Sequence, residues 1–318
     1  RVLVEQVAVG RVVVFSRDEL KQSEMAGRVA AGDGGERVRF FIGDVRDAAR
    51  LAEALHGVDY VIHAAALKQV PAVEYNPQEA IKTNVAGAQN VIAASLAAGV
   101  RMVVALSTEK ACTPVNLYGA TKLCSDKLFI AGNALAAGAT RFSVVRYGNV
   151  FGSRGSVVPV FLGMLARAAG PGGGRLEAFP VTDARMTRFS IGLTGAVNLV
   201  LRALGECAGG ETLVPRLPSY RIGDLCAALA PEVAVRYTGV RPGEKLHESM
   251  IPADEALNTW EFDDMFVIFP ARSLTTGIAE QQAKLKARGR QMAAGFSYDS
   301  GSNADFLTVA ELREHVRA

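Results

Sequence analysis

Residues 102–122, MVVALSTEKACTPVNLYGATK, hold a strand, a polar strand end and the start of a helix, and they decide the fold. The first six residues, 102–107 (MVVALS), are an apolar run rich in valine. Such a run is typical of a strand that is buried on both faces. A helix is predicted over residues 118–137. A buried strand followed by a covering helix is the repeating unit of a parallel α/β sheet.

Further segments of the first half repeat this pattern. The predicted strands are residues 11–16 (RVVVFS), 37–43 (RVRFFIG), 58–63 (VDYVIH) and 142–147 (FSVVRY), and the predicted helices are 48–55 and 77–98. This alternation predicts an α/β, Rossmann-type doubly wound parallel sheet. Residues 1–150 are predicted to be the dinucleotide-binding domain. Residues 151–318, where the rhythm becomes irregular, are predicted to be a smaller C-terminal substrate-binding lobe that can interleave with the first.

One expected motif of such a domain does not occur in the chain. A dinucleotide fold has a glycine-rich turn after its first strand, where backbone amides hold the pyrophosphate. No such turn precedes residue 11, and the glycines of 170–174 do not follow a strand. Residues 1–9 resemble the tail of a first helix, so the first strand and its loop are expected to lie upstream or to be lost. We therefore expect weak dinucleotide binding and little or no activity from the chain as written.

Composition narrows the classes of function. Of the 318 residues, 49% are hydrophobic and 21% are charged, as in soluble globular proteins. The net charge of +3 gives no case for a nucleic-acid surface. The four cysteines lack metal-ligand spacing, which predicts free thiols, a cytoplasmic location and no metal site. No apolar run reaches the roughly 18 residues of a membrane span, so no membrane partner is expected.

Tyr118 and Lys122 are the first candidate catalytic pair. A tyrosine and a lysine four residues apart at the start of a helix share one face. An ammonium beside a phenol, with a nicotinamide cation nearby, lowers the pKa of the phenol. Tyr118 can then take a proton from a substrate hydroxyl as hydride leaves the same carbon, while Thr108 hydrogen-bonds that hydroxyl. The alternative is an ordinary surface helix pair.

Glu109 and Lys110 add chemistry that an alcohol dehydrogenase does not need. Once a ketone forms, the neighbouring C–H becomes acidic. A desolvated lysine can remove that proton while a carboxylic acid protonates the leaving hydroxyl. The two residues therefore favour an elimination, and the alternative is an exposed ion pair at a strand end.

Residues Ser16, Arg17 and Asp18 follow the second strand of the expected fold. Enzymes that use NAD often place an acid at this point for the ribose hydroxyls, whereas an arginine suits a 2′-phosphate. The sequence therefore favours NADP over NAD, with a solvated loop end as the alternative.

Four segments carry a resemblance to a known family: LSTEKACTPVNLYGATKLCSDKLF (106–129), VVRYGNVFGSRGSVVPVF (144–161), VTDARMTRF (181–189) and VRPGEKLHESMIPADE (240–255). Together they resemble the inverting UDP-N-acetylglucosamine 4,6-dehydratases, which start the pathway to pseudaminic acid. These enzymes belong to the extended short-chain dehydrogenases/reductases and are related to polysaccharide-biosynthesis dehydratases and epimerases. The resemblance runs from about residue 12 to the last helix.

The resemblance implies roles for the matching residues. Tyr118 and Lys122 match the pair that starts oxidation at C4, Thr108 the strand-end hydroxyl, and Lys110 the lysine of C5 chemistry. Glu109 departs from the usual aspartate but is assigned as the acid that assists loss of the C6 hydroxyl. The residues implied to bind NADP are Ser16, Arg17, Lys21, Asp44, Val45, Ala64, Ala65, Ala66, Lys68, Tyr118 and Lys122. Those implied to bind the UDP-sugar are Lys68, Asn149, Arg154, Thr182, Arg188, Arg241 and Glu244.

The sequence thus predicts NADP-dependent dehydration of UDP-N-acetylglucosamine, with inversion at C5, for bacterial surface-glycan or flagellin-glycan synthesis. A homo-oligomer is expected by resemblance. Two alternatives stay open, a UDP-sugar epimerase on the same scaffold and a non-catalytic remnant that lacks the cofactor loop. His63 and His247 are expected to be structural.

Overall fold

The computed structural model describes residues 9–30, 32, 34–136, 138–171, 174–272 and 276–317, together with Leu3 and Val7. Most of the helix tail predicted over residues 1–9 lies outside these residues. So do residue 137, at the end of a predicted helix, and residues 172–173 of the glycine-rich turn.

Eleven α-helices and sixteen strands are assigned in the described residues. The helices are α1 Glu19–Ala30, α2 Ala48–Ala54, α3 Val70–Tyr75, α4 Pro77–Ile81, α5 Gly87–Ala98, α6 Leu117–Ala136, α7 Val157–Ala169, α8 Leu193–Glu206, α9 Ile222–Leu229, α10 Thr276–Lys286 and α11 Val309–Arg317. The strands of the first half are β1 Val12–Ser16, β2 Val38–Ile42, β3 Tyr60–His63, β4 Met102–Thr108, β5 Arg141–Tyr147 and β6 Asn149–Val150. Those of the second half are β7 Ala178–Val181, β8 Thr187–Ile191, β9 Thr212–Pro215, β10 Ser219–Arg221, β11 Ala234–Tyr237, β12 Ser249–Ile251, β13 Thr259–Glu261, β14 Met265–Ile268, β15 Arg290–Gln291 and β16 Tyr298–Asp299.

The largest sheet has seven strands in the order β15-β13-β14-β9-β5-β4-β3. Strands β3, β4, β5 and β9 are parallel, and β14, β13 and β15 extend the sheet in antiparallel fashion. Strands β1 and β2 form a separate parallel pair. Within the described residues, β1 pairs with β2 alone and β3 pairs with β4 alone. The predicted α/β class with a parallel sheet is confirmed.

Strand β4 lies at the centre of the hydrophobic core, as its apolar run predicts. Residues 102–105 have no exposed surface. Val103 and Ala105 pack with Phe129 of α6 on one face, and Met102 and Val104 pack with Leu213 of β9 on the other. Packing on both faces fixes the carboxyl end of β4, where the candidate catalytic residues begin.

Two helical details differ from the sequence predictions. The helix predicted over 77–98 is interrupted by a π-helical segment, Lys82–Ala86, between α4 and α5. Helices α1 and α3 were not predicted. Six-residue α3 is too short to show a helical period, and its proline stands in the first turn, where a missing N–H costs nothing.

The second half of the chain is built into the same sheet as the first. Strand β9 pairs with β5, and β14 pairs with β9. A further core forms where α7, α9 and α11 pack against β7. The division at residue 150 stays a prediction, and across it the two halves share one sheet. No helix in the described part of the chain is long and apolar enough to cross a membrane.

Candidate active site

The carboxyl ends of β3, β4 and β5 open into a cavity of about 820 Å³. Parallel strands bring these ends to one edge of the sheet. Segments of the second half, around residues 149–161, 180–188 and 238–248, form the rest of its wall. The predicted site residues that line it are Ala64, Ala66, Lys68, Thr108, Glu109, Lys110, Tyr118, Lys122, Asn149, Arg154, Thr182, Arg188, Arg241 and Glu244.

A tight turn carries the candidate catalytic residues from β4 to α6. The Thr108 hydroxyl accepts a hydrogen bond from Lys110 N (3.3 Å) and begins a 3₁₀ turn over Glu109–Ala111. Helix α6 starts directly against this turn. A Cβ on Gly119 would lie 2.1 Å from the carbonyl oxygen of Lys110, so only glycine permits the approach. The close contact places Tyr118 beside the turn.

Glu109 and Lys110 form a buried ion pair, not the exposed pair of the alternative interpretation. Glu109 is only 2% exposed, and its carboxylate accepts hydrogen bonds from Thr108 Oγ1 (2.7 Å) and from Lys110 Nζ. Lys110 Nζ also contacts Glu248 Oε1 at 3.2 Å. Because a buried charge is costly without partners, this constellation fixes all of its members in place.

The charge state of Lys110 differs from the sequence prediction. Burial alone would lower the pKa of Lys110, as expected for a desolvated lysine, but Glu109 and Glu248 outweigh burial and raise it. Lys110 is therefore an ammonium in this arrangement and is not yet a base.

The pKa of Tyr118 is likewise set by its neighbours. Burial and the charge of Glu109 raise the pKa of the phenol to about 12, although Lys110 and the Thr108 hydroxyl act in the opposite direction. The lowered phenol pKa predicted from the Tyr–Lys spacing is therefore not a property of these residues alone.

Lys122 is buried on the same face of α6, below Tyr118. Burial lowers its pKa, and the carboxylate of Asp126, one turn further on, opposes that shift. Asp126 in turn accepts a hydrogen bond from Ser107 Oγ (2.5 Å). Lys122 Nζ has no hydrogen-bond partner among the described residues and lines the cavity, so its N–H groups are available to a ligand.

The loop after β3 is held by Asn84, a residue that the sequence analysis missed. Its amide exchanges two hydrogen bonds with the backbone of Leu67, at 2.8 and 2.9 Å, and donates one to Thr121 Oγ1 at 3.0 Å. Asn84 lies in the π-helical segment, a feature often found at functional sites. It thereby joins the loop of Ala64–Ala66 and Lys68 to helix α6.

The residues predicted for the adenosine end of the cofactor lie on the surface after β1 and β2. Arg17 contacts Asp44 at 3.4 Å with half of its side chain exposed (51%), and Lys21 pairs with Asp18 at 2.9 Å. The Ser16 hydroxyl accepts from Asp18 N at 3.1 Å. Val45 is buried in the core that contains Val103 and Phe129. These residues and Ala65 do not line the cavity. Arg154 does line it, and its positive charge contributes to lowering the pKa of Asp18.

The predicted substrate residues differ in how free they are. Arg188 is largely occupied, because its guanidinium donates to the carbonyls of Thr187 (2.7 Å) and Leu246 (3.2 Å) and lies 3.6 Å from Glu248. Arg241 is paired with Glu244 at the rim. Asn149 Oδ1 is buried and has no hydrogen-bond partner in the described residues.

The two histidines that were predicted to be structural, His63 and His247, contact neighbouring side chains. His63 packs against Phe129 with ring centroids 5.3 Å apart, and burial lowers its pKa to about 3. His247 Nδ1 is hydrogen-bonded to Thr187 Oγ1 at 2.7 Å. No group of three or more His, Cys, Asp or Glu side chains suited to a metal ion occurs in the described part of the chain.

Comparison with known proteins places this site in a family. Residues 1–270 match the model of the polysaccharide biosynthesis protein family. The chain is 48% identical to a UDP-N-acetylglucosamine 4,6-dehydratase (inverting) of Campylobacter jejuni subsp. jejuni serotype O:23/36, over 99% of this chain and 92% of the relative. It is 38% identical to a UDP-glucose 4-epimerase of Rickettsia canadensis, over 95% of this chain and 85% of the relative.

Among solved structures, the X-ray structure of Pen from Bacillus thuringiensis superimposes with a TM-score of 0.84 at 34% identity, over 98% of this chain and 90% of that one. The family match covers strands β1 to β14, the turn after β4 and the residues that line the cavity. The chain therefore belongs to the polysaccharide biosynthesis protein family.

Proposed function

We propose that this chain is a dehydratase that converts UDP-N-acetylglucosamine into a UDP-4-keto-6-deoxy sugar with inversion at C5, using NADP. The observation that carries the proposal is the buried Glu109–Lys110 pair beside Tyr118, at the wall of a cavity large enough for a nucleotide sugar. The Campylobacter relative at 48% identity bears the name of this activity. We further propose a cytoplasmic enzyme that supplies surface-glycan or flagellin-glycan synthesis.

The residues divide the reaction between them. Tyr118 takes the proton of the C4 hydroxyl while hydride leaves C4, which the nicotinamide of a bound cofactor would accept, and Thr108 is hydrogen-bonded to the same oxygen. The C4 ketone acidifies C5–H, Lys110 removes that proton, and Glu109 protonates the C6 hydroxyl, which leaves as water. A 4-keto-5,6-ene is left, and the hydride taken from C4, which the bound cofactor would hold, would return to C6. Protonation of C5 on the opposite face by a proton from solvent then gives the inverted 4-keto-6-deoxy product.

The ion pair already holds the correct number of protons for this elimination. Lys110 Nζ contacts Glu109 Oε1 directly, so one proton transfer turns the ammonium and carboxylate into an amine and a carboxylic acid. The amine then gains the C5 proton, and the acid gives its own to the C6 oxygen. The elimination therefore restores the ion pair, and the raised pKa of Lys110, which its two carboxylate neighbours cause, belongs to the state before and after the step.

The site residues fit a nicotinamide dinucleotide at this edge. Lys122 offers unpartnered N–H groups to ribose hydroxyls, Asn84 fixes the loop of residues 64–68, and Arg17 stands after β1, where an arginine suits a 2′-phosphate. When bound, the cofactor would supply a reversible hydride acceptor and a positive charge near the phenol. That charge would oppose the burial that raises the pKa of Tyr118 to about 12.

The diphosphate of the substrate needs cationic donors. Arg154 and Arg241 line the cavity on the side of the second half, and both are exposed at its rim. Arginine binds phosphate oxygens in pairs through its planar fork. We assign these two, with Asn149 and Thr182, to the UDP-sugar, and Arg188 to holding Glu248.

The test is conversion of UDP-N-acetylglucosamine with NADP in heavy water, followed by mass spectrometry and proton NMR. The chain is compared with a version extended by a strand and a glycine-rich first loop, which separates weak cofactor binding from missing chemistry. A product that has lost one water and carries deuterium at C5 is the expected result. If neither version alters the sugar, the proposal is wrong and the chain is a non-catalytic member of its family.

An epimerase is the second candidate, because a Rickettsia relative at 38% identity is named a UDP-glucose 4-epimerase. Epimerisation leaves the mass of the sugar unchanged apart from deuterium uptake. The same spectra therefore distinguish the two reactions.

A further inference from the structure

Glu248 is a buried carboxylate within the fourth family segment, residues 240–255, and the resemblance assigned it no role. It lies directly before β12, its side chain is 3% exposed, and it lines the cavity. It is separated from Lys110 by 138 positions in the sequence, yet Lys110 Nζ donates to its Oε1 at 3.2 Å. Through this side chain the second half of the chain contacts the catalytic lysine directly.

The backbone of Glu248 is held on both sides. Its N–H donates to Ser300 Oγ at 2.9 Å, and its carbonyl accepts from Ser300 N at 2.8 Å. The same hydroxyl of Ser300 contacts Thr187 Oγ1 at 2.7 Å. Ser300, directly after β16, and Thr187 of β8 thus fix the backbone from which the carboxylate extends.

The carboxylate faces several charged or titratable groups. They are Lys110 from the turn after β4, Arg188 from β8 and Lys245 from its own loop. Glu109, Tyr118 of α6 and Tyr220 of β10 interact with the same Lys110. Burial would raise the pKa of Glu248, but Lys110, Arg188 and Lys245 outweigh it and lower the pKa. Glu248 is therefore a permanent anion next to the catalytic amine.

We propose that Glu248 is a positioning residue for the elimination, whose carboxylate holds the Lys110 amine against Glu109 and makes the protonated lysine the preferred state of the pair. The proposal rests on the dehydratase function above. This role also accounts for the position of Arg188. Its guanidinium donates to two backbone carbonyls and lies beside Glu248, where it neutralises and orients the carboxylate, and it does not face the cavity with free N–H groups. Transfer of the C5 proton to Lys110 is more favourable in free energy when the amine is more basic.

The consequence for pH dependence follows from the proton count. The ion pair and its exchanged form carry the same number of protons, so the rate of elimination is flat near neutrality. It falls at high pH, where the pair loses its shared proton. Removing the negative charge of Glu248 lowers the pKa of Lys110, so this high-pH fall moves to lower pH in Glu248→Gln. An opposite charge at this distance shifts a pKa by on the order of one to three units.

The experiment uses the full chain and measures two quantities. Lysine labelled with ¹³C at Cε is titrated by NMR, with Lys110 assigned from the signal missing in Lys110→Arg, and the pH profile of deuterium uptake at C5 is recorded with UDP-N-acetylglucosamine and NADP. Both are expected to shift downward by about one unit or more in Glu248→Gln. Glu248→Asp, which keeps the charge, is expected to restore most of both shifts.

Glu211→Gln is the matched control. Glu211 has no exposed surface and accepts hydrogen bonds from Ser143 and from the amides of Ala208 and Gly209, away from the cavity. The Glu211→Gln variant should have a lower unfolding temperature than wild type. Its Lys110 titration curve and its pH profile of deuterium uptake should match those of wild type. Identical Lys110 titration and pH profile in wild type and Glu248→Gln would overturn the proposal. Absence of turnover in the wild type and in the loop-extended version would instead overturn the dehydratase function, and with it the role of Glu248 in elimination.

Discussion

The edge after β4 and the edge after β1 carry the same kinds of residue in opposite environments. After β4, Lys110 is 24% exposed and lies between two carboxylates that are each 3% exposed. After β1, Arg17 and Lys21 are 51% and 60% exposed and each faces one partly exposed carboxylate. Buried charges interact strongly and in fixed geometry, whereas exposed charges are screened by water and salt. The first edge is therefore suited to chemistry and the second to recognition of a charged ligand.

The largest effect is expected at the phenol of the buried edge. Tyr118→Phe removes the group that exchanges the C4 proton and should lower kcat for UDP-N-acetylglucosamine by about 10³-fold. The unfolding temperature should stay close to that of wild type, because the ring is retained. Tyr75→Phe, at a tyrosine that is 87% exposed, serves as the control. Turnover within a few-fold of wild type in Tyr118→Phe would remove Tyr118 from the mechanism.

Lys110 tests whether the buried charge acts in catalysis or only in stability. Lys110→Ala should abolish loss of water while slow C4 oxidation persists, which is seen as reduced cofactor without a dehydrated product. It also leaves two buried carboxylates without their cation, at a cost of about 3 kcal/mol in the free energy of unfolding. Lys110→Arg keeps the charge but cannot act as a base at neutral pH, so it should be stable and equally unable to dehydrate. Dehydration at the wild-type rate in either variant contradicts the assignment.

A smaller and more selective effect is expected at the exposed edge. Arg17→Ala should raise the KM for NADP by about tenfold, the value of one charge-assisted hydrogen bond, with little change in kcat or in the KM for NAD. Steady-state kinetics with NADP and with NAD measure the change in each KM and therefore the ratio of the two. Equal loss with NAD and NADP would mean that Arg17 does not bind the 2′-phosphate.

The smallest effect is expected at Lys21, which is already paired with Asp18 on the surface. Lys21→Ala should raise the KM for NADP by about two- to threefold at low salt, and the difference should fade as salt is added. A large, salt-independent effect would show that Lys21 is buried against the ligand and would break the contrast between the two edges.

The sequence predicted the parts of the site that follow local patterns. The apolar run of residues 102–107 placed a buried strand, and the Tyr–Lys spacing placed Tyr118 and Lys122 on one face of α6. Glu248 could not be found in this way, because its pairing with Lys110 depends on how distant segments pack. The raised pKa of Lys110 was missed for the same reason, since burial and neighbouring charges set it.

Asn84 shows a second limit. It lies inside a segment whose helical periodicity is regular, and its role depends on a π-helical turn that the periodicity does not reveal. Arg17 and Lys21 illustrate the reverse case, because their positions after a strand were predictable while their affinity for a 2′-phosphate remains a prediction.

The pairing of β9 with β5 limits how this enzyme can be engineered. Cutting the chain near residue 150 would strip β5 of a neighbour and expose Val145 and Leu213, which pack in a common core. The halves are therefore poor modules: neither should fold when expressed alone, and thermal melting should be one cooperative transition. Exchange of sugar specificity between relatives would accordingly succeed by grafting the surface loops around the cavity, not by swapping halves.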